Sequence, residues 1–132
     1  MIRIVTESMS DFTQEEAKAA DLIVMPLPIR FGMEEYWDDG VSLTQDDFYA
    51  RLRVAKELPK TSQVPVEHYR KCFNRLLENP EDEVLVITGS SKLSGCYQSA
   101  CIAREACHDP ARVTVLDSLN ATCAEYMLVD QA

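Results

Sequence analysis

Four apolar stretches divide this chain, and each has the length and composition of a β-strand. They run over Ile2 to Val5, Leu22 to Phe31, Val84 to Thr88 and Arg112 to Leu116. The third is almost continuously apolar, which is typical of a central strand buried on both faces. The second contains Pro26 and Pro28, which cannot donate to a sheet ladder, so we expect an edge strand or an irregular one. After it, the segment from Glu34 to Gly40 is predicted as a polar, hairpin-like loop that exposes Tyr36 and Trp37.

Helical patterns lie between and after these strands. Thr13 and Glu16 have the spacing of a capping box, in which two side chains satisfy free N–H groups at a helix start. Thr44 and Asp47 have the same spacing, and the helix that they open is predicted to end near Lys56. The remaining helices are predicted from about Pro65 to Leu77, from Gly95 to Cys107, and from Asn120 to Ala132.

The alternation of strands and helices predicts an α/β fold, with a mostly parallel β-sheet and helices on both faces. In such sheets, ligands bind beyond the carboxyl ends of the strands. Ser8, the run from Ser90 to Gly95, and Ser118 each follow a predicted strand directly. The sequence therefore places its hydroxyl-rich turns on the expected binding edge.

Length and charge limit the possible partners. The chain has 132 residues, enough for one domain with a hydrophobic core, and its formal net charge is −9. Contact with phosphate backbones needs clustered lysine and arginine, so this charge argues against nucleic acid as a partner. It argues equally against an anionic membrane surface. No apolar run approaches the length of a membrane span, so we expect no stable membrane insertion.

The cysteines indicate a reducing compartment. There are five, an odd number, with no C-x-x-C pair among Cys72, Cys96, Cys101, Cys107 and Cys123. This spacing argues against a disulfide framework and against a zinc site, so we expect reduced, mostly buried thiols, no metal and no cofactor. The strand pattern that begins at Ile2 also argues against a signal peptide, and we expect a cytoplasmic protein.

Two turns carry the candidate chemistry. One runs from Ser90 to Gly95 (S-S-K-L-S-G) and the other from Lys60 to Gln63 (K-T-S-Q), each just ahead of a predicted helix. The free N–H groups and partial positive charge of a helix start attract anions. Together the two turns predict a site for one carboxylate or phosphate. The alternative is that Ser94 only caps its helix and that Gly95 only permits close packing.

Catalysis by these residues is the competing interpretation. Ser94 is a candidate nucleophile, but its neighbours do not form the G-x-S-x-G elbow of the α/β hydrolases. A serine nucleophile needs a base, and the two histidines, His68 and His108, are predicted on a charged helix face and at a helix end. Asp117, at the end of a strand, is the other candidate nucleophile. A phosphate loop is not indicated, because the turn lacks the G-x-x-x-x-G-K-[ST] pattern.

Several motifs follow one another in a specific order along the chain. They are K-T-S-Q-V-P from Lys60, S-S-K-L-S-G-C-Y-Q-S-A from Ser90 and V-L-D-S from Val115, together with I-V-T-E-S from Ile4 and D-G-V-S-L-T from Asp39. In this order they resemble the DegV family of bacterial fatty acid-binding proteins. The resemblance covers essentially the whole chain.

The resemblance implies a Rossmann-like, three-layer domain at residues 1–132, the N-terminal part of a two-domain protein whose second domain is absent from this chain. It implies a long-chain fatty acid as the ligand, with its carboxylate held by Thr61 and Ser94. Ser62 and the amide of Gly95 are the next candidates. It also implies a lipid-binding carrier in phospholipid metabolism, not an enzyme, which presents the acyl group to a separate fatty acid kinase.

Some positions depart from the family, and two other functions stay open from the residues alone. Glu7 stands where the family usually has aspartate, and Cys96 and Asn120 stand where hydroxylated residues are common. The first alternative is a Ser- or Asp-dependent phosphotransferase or hydrolase. The second is a regulatory interaction module that uses the loop with Tyr36 and Trp37 as its contact surface.

Overall fold

The computed structural model describes residues 1–132 and contains seven strands and five helices. The strands are β1 (Ile2–Glu7), β2 (Ile23–Met25), β3 (Pro28–Phe31), β4 (Glu34–Trp37), β5 (Lys60–Thr61), β6 (Glu83–Thr88) and β7 (Val113–Asp117). The helices are α1 (Gln14–Ala19), α2 (Gln45–Val54), α3 (Val66–Leu76), α4 (Cys96–Glu105) and α5 (Cys123–Gln131). None of these helices combines the length and the apolar character needed to cross a bilayer.

The larger sheet has the order β2-β1-β6-β7, and all of its strand pairs are parallel. Side chains of β6 alternate between its faces, as the pleat requires. Val84 and Val86 belong to the main core, with side chains of α3 and α4. Leu85 and Ile87 pack on the opposite face, in a smaller cluster with side chains that include Val129 of α5. The predicted α/β fold, with helices on both faces of a parallel sheet, is confirmed.

The sequence predicted one strand over the segment from Leu22 to Phe31. The structure instead has two strands there, and they belong to different sheets. β2 forms an edge of the parallel sheet, whereas β3 is the middle strand of a second, antiparallel sheet with the order β4-β3-β5. Pro26 lies between the two strands, and Pro28 is the first residue of β3. Both positions suit a residue that lacks an N–H group, because neither interrupts a ladder from within.

The predicted loop from Glu34 to Gly40 is also partly wrong, because its first half is strand β4, paired with β3 in a hairpin. Its aromatic side chains are half-buried and not exposed. The guanidinium carbon of Arg51 lies 4.8 Å from the ring centre of Tyr36. The ring of Trp37 lies 5.0 Å from that of His68. These aromatic residues therefore attach the hairpin to α2 and α3.

One of the two predicted capping boxes is complete. The Thr13 hydroxyl accepts the N–H of Glu16 at 3.2 Å, and the Glu16 carboxylate accepts the N–H of Thr13 at 2.9 Å. At α2, the Thr44 hydroxyl accepts the N–H of Asp47. The Asp47 carboxylate accepts the Thr44 hydroxyl at 2.7 Å but not the Thr44 N–H. Aspartate is one methylene shorter than glutamate, so the second bond of the box is not made.

The sequence predicted that Arg112 begins the last strand. In the structure Arg112 lies just before β7, which begins at Val113. Its guanidinium donates to the carbonyl oxygens of Leu77 at 3.0 Å, Asn79 at 3.0 Å and Asp82 at 2.9 Å. It also pairs with the Asp109 carboxylate at 2.9 Å. One half-buried side chain thus fixes the connection from the end of α3 to the start of β6.

We expect Arg112→Ala to lower the free energy of unfolding by about 2 kcal/mol, because three carbonyl groups lose a charged donor. Arg104→Ala is the matched control, since the Arg104 guanidinium bonds only to its exposed neighbour Glu105, and a loss of about 0.5 kcal/mol or less is expected. Urea denaturation of both variants measures the difference. Equal losses would contradict the role given to Arg112.

Candidate functional site

The Ser90–Gly95 turn joins β6 to α4 and is built around Ser90. The buried Ser90 carbonyl accepts the N–H groups of Leu93 at 2.9 Å and Ser94 at 3.0 Å, and its hydroxyl accepts the N–H of Lys92 at 3.2 Å. The bonding capacity of Ser90 therefore goes largely to shaping the turn. It is a structural serine, a distinction that the sequence did not make among the three.

The turn is fastened to the loop that follows β7. The Ser90 N–H donates to the Asn120 carbonyl at 2.7 Å. The Asp117 carboxylate accepts the N–H groups of Ser91 at 3.1 Å and Leu119 at 3.0 Å. Burial alone would raise the pKa of Asp117, but these hydrogen bonds outweigh it and hold the pKa below its usual value. Asp117 therefore remains an ionised structural anchor, which leaves little support for its role as a nucleophile.

The start of α4 keeps free donors. Gly95 is the N-cap residue, and the Ser94 hydroxyl accepts the N–H of Cys96 at 3.2 Å, so Ser94 does contribute to the cap. Its hydroxyl hydrogen has the Cys96 thiol, a weak acceptor, beside it and makes no stronger bond in the chain. The backbone N–H groups of Gly95, Tyr97 and Gln98 lack an acceptor in the chain. Three amides and one hydroxyl at a helix start form the kind of donor cluster that holds an anion.

The second predicted turn lies beside the first. Thr61 ends the short strand β5, and Ser62 donates its N–H to the Pro28 carbonyl at 3.2 Å. The hydroxyls of Thr61 and Ser62 are exposed and make no bond within the chain. A Cβ atom on Gly95 would come within 3.0 Å of the Gln63 side chain, so the two turns are in contact there. The structure thus brings the two segments together, and their shared role in binding stays a prediction.

A cleft of about 700 Å³ has Thr61 among its lining residues. Its apolar lining includes Ile29, Leu43 and Phe48, and its polar lining is rich in aspartate and glutamate. Ser94 and Gly95 do not line it. The candidate anion site is therefore the start of α4 with the neighbouring turn, and the cleft is a separate feature that adjoins it at Thr61.

Sequence reasoning missed a pair of buried acids beneath the turn. Glu7 and Glu125 are both 0% exposed. Glu7 accepts the N–H of Gly89, and Glu125 accepts the hydroxyl of Thr6 at 3.2 Å. Burial raises the pKa of Glu7 to about 7, and burial together with the charge of Glu7 raises the pKa of Glu125 to about 8. The available signal was a lone acid in the apolar run C-A-E-Y-M-L-V from Cys123.

The other candidate groups have local roles. The His68 ring packs against Trp37, and His108 follows the C-terminal end of α4, the opposite end from Ser94. Neither His68 nor His108 is hydrogen-bonded to the Ser94 hydroxyl. All five cysteines are free, and three of them, Cys72, Cys96 and Cys107, are buried, which confirms the expectation of mostly buried thiols.

A parallel sheet with helices on both faces, and with free amides and hydroxyls at its carboxyl edge, defines an α/β domain of the Rossmann-like class. The comparisons with known proteins give the family. A family model described as "Uncharacterised protein, DegV family" matches residues 1–132. This chain belongs to the DegV family, as its motifs predicted.

Individual relatives agree. A DegV domain-containing protein of Caldanaerobacter subterraneus is 39% identical over 131 residues, which are 99% of this chain and 45% of that protein. A protein of Thermotoga maritima named "Fatty acid-binding protein" is 35% identical over 93% of this chain and 42% of its own length. The structure of a stearic acid-binding protein from Eubacterium ventriosum superposes with a TM-score of 0.90 at 32% identity, over 99% of this chain and 46% of that one. The chain spans somewhat less than half the length of these relatives.

Proposed function

We propose that this chain is the carboxylate-binding, N-terminal domain of a two-domain protein that carries a long-chain fatty acid. In this proposal Thr61, Ser62 and Ser94 donate hydroxyl groups to the carboxylate, and Gly95 donates its amide. Relatives named for fatty acid binding, which this chain matches along almost its whole length, support the choice of ligand.

The observation that carries the proposal is the set of unused donors at the start of α4. The N–H groups of Gly95, Tyr97 and Gln98 have no acceptor in the chain, and the Ser94 hydroxyl hydrogen has only the weakly accepting Cys96 thiol beside it. Charge-assisted hydrogen bonds from such groups fix the orientation of a carboxylate without a cationic partner. This suits a site in a chain of net charge −9, where local donors must act against the overall field.

The acyl chain supplies most of the binding energy in this proposal. Burial of each methylene contributes roughly 0.8 kcal/mol, so a chain of about sixteen carbons contributes on the order of 12 kcal/mol before the costs of association. Two exposed leucines, Leu93 at 72% and Leu119 at 65%, flank the donor cluster. They offer apolar surface beside the carboxylate, and we assign the rest of the apolar surface that covers the acyl chain to the second domain.

We further propose that the whole protein is a carrier and that a separate fatty acid kinase acts on the presented acyl group. No base is hydrogen-bonded to Ser94, and the Asp117 carboxylate already accepts the N–H groups of Ser91 and Leu119. Both observations favour a carrier over a phosphotransferase or hydrolase. Turnover by the purified protein with no added kinase would contradict this assignment.

Octanoate, a short and soluble carboxylate, tests the donor cluster in the chain as it is. We expect octanoate to shift the backbone amide resonances of Gly95, Tyr97 and Gln98 in heteronuclear NMR spectra of the ¹⁵N-labelled protein. The uncharged 1-octanol serves as the ligand control, because it has the same apolar length and should leave these three resonances in place. Shifts confined to other residues, or no shifts up to the solubility limit, would contradict the proposed site.

The double substitution Thr61→Ala with Ser94→Ala is expected to weaken octanoate binding at least tenfold, which corresponds to about 1.4 kcal/mol, because two donors to a charged group are lost. Ser91→Ala is the matched control in the same turn, since its side chain is directed to Asp117 and is not part of the donor cluster. Equal affinities for the double variant and the control would place the carboxylate elsewhere.

A further inference from the structure

Three buried polar atoms of this chain have no hydrogen-bond partner, and they lie in one cluster. They are Oε2 of Glu7, Oε2 of Glu125 and the hydroxyl of Tyr69, each on a side chain that is 0% exposed. An unpartnered buried polar group is costly, and two ionised carboxylates side by side are costlier still. An arrangement in which both acids are ionised and unpartnered is therefore not the stable state of this core.

The two carboxyl groups meet above Gly89. A Cβ atom on Gly89 would lie 3.0 Å from Oε1 of Glu7 and 3.0 Å from Oε2 of Glu125, so both groups border the same small space. The groups are close enough to hydrogen-bond to each other once one of them carries a proton. A single proton there lets one carboxyl group donate to the other, beside the Tyr69 hydroxyl, which is the neighbouring donor to Glu7.

Every ionisable group that faces the pair is acidic or neutral. They are Tyr69 from α3, Cys96 from α4, and Asp11 from the segment between β1 and α1. No lysine, arginine or histidine is among them. With no cation to compensate two negative charges, protonation is the route by which this cluster reaches a stable state.

We propose that Glu7 and Glu125 hold a shared proton beneath the Ser90–Gly95 turn, and that this proton links carboxylate binding at the start of α4 to pH. The first half of the proposal concerns the chain alone. The second half rests on the proposed carboxylate function.

The pair is connected to the ligand turn in two ways. Glu7 accepts the N–H of Gly89, and Gly89 is followed by Ser90, whose carbonyl holds the N–H groups of Leu93 and Ser94. Cys96, the first residue of α4, faces the pair through its thiol. Negative charge on the pair therefore develops just behind the helix start that would receive the ligand carboxylate. Like charges repel, so loss of the proton weakens anion binding, and a bound anion favours retention of the proton.

The shared proton is tested without any ligand. Side-chain carboxyl resonances of ¹³C-labelled glutamate are followed from about pH 4 to about pH 10 and assigned with the Glu7→Gln and Glu125→Gln variants. We expect two coupled titrations well above the ordinary glutamate range in the native protein, and a single titration in each variant. Titration of every glutamate carboxyl of the native protein in the ordinary range overturns the proposal, and this result needs no assignment from the variants.

The link to ligand binding is tested with octanoate, above about pH 6, where this ligand stays ionised. We expect its affinity to fall about fivefold or more by about pH 9, and to change far less in the Glu7→Gln, Glu125→Gln double variant, whose two amides can bond to each other without titrating. A flat affinity profile in the native protein overturns the link. If octanoate does not bind at any pH, the proposed carboxylate function is contradicted instead. The shared proton is then decided by the NMR titration of the carboxyl groups alone.

Discussion

The free energy of unfolding is expected to fall by about 6 kcal/mol when the pH is raised from about 5 to about 9, because the buried pair Glu7 and Glu125 must ionise in the folded state. The pKa values of the pair are raised from 4.5 to about 7 and about 8 in the folded protein. Between 4.5 and these values the folded state binds more protons than the unfolded state. The stabilisation is therefore fully present below about pH 4.5 and is lost as the pH rises through 7 and 8.

Chemical denaturation at a series of pH values measures this loss. The Glu7→Gln, Glu125→Gln double variant should show a much flatter profile over the same range, since neither amide titrates. Glu57→Gln, which changes an exposed loop acid, is the matched control and should keep the native slope. Stability that is constant or rises towards pH 8 in the native protein would contradict the buried protonated pair.

Phe73→Ala is expected to be the most destabilising single substitution considered for this chain, with a loss of about 3–5 kcal/mol. Phe73 is 0% exposed, lies on α3 in the core cluster of 15 buried residues, and packs with its ring centre 5.7 Å from that of Tyr69. Its removal leaves a cavity that the parallel sheet and α4, fixed by their own hydrogen bonds, fill only in part.

The Phe73→Ala loss is measured by denaturation at about pH 5, where the buried pair is protonated and does not contribute a pH-dependent difference. Leu58→Ala is the control, because Leu58 is 80% exposed and its truncation should change stability by about 0.5 kcal/mol or less. Similar losses in the two variants would show that the core is not packed around α3 as described.

In the proposed function, the buried pair and the donor cluster together set the electrostatic environment of the ligand carboxylate in a domain of net charge −9. The pair lies where two negative charges would oppose a carboxylate at the start of α4, and a shared proton removes part of that opposition. If Glu7 and Glu125 were both ionised at neutral pH, the free amides of Gly95, Tyr97 and Gln98 would face the ligand from a more negative environment. The state of the pair therefore bears directly on the strength of the proposed site.

The parallel sheet and its helices were predictable from the sequence because their signals are local. The apolar run from Val84 to Thr88 indicates a strand buried on both faces, and Thr13 with Glu16 indicates a helix start within four residues of chain. The Ser90–Gly95 turn was found in the same way, because a strand, a hydroxyl-rich turn and a helix follow one another directly. The different roles of Ser90 and Ser94 within this turn could not be predicted, because the two serines differ only in which atoms the fold places around them.

The second sheet was not predicted from the sequence, because one of its strands is too short to show a pattern. Strand β5 has two residues, Lys60 and Thr61, and its pairing with β3 stabilises a segment too short to show any periodicity. The break between β2 and β3 depends on which sheet each half joins. Prolines at 26 and 28 showed that the region was irregular, but not that it changed sheets.

By itself, the sequence determined the fold class, the edge of the sheet that carries the hydroxyl-rich turns, and the family, because each depends on neighbours along the chain. Only the tertiary structure decided which donors stay free and which acids meet. Thr6 and Glu125 are 119 positions apart, yet they share a hydrogen bond beside Glu7 in the closed core. A charge in an apolar helix shows that something must compensate it, and the compensating group is set by the packing of β1 against α5, which no local pattern contains.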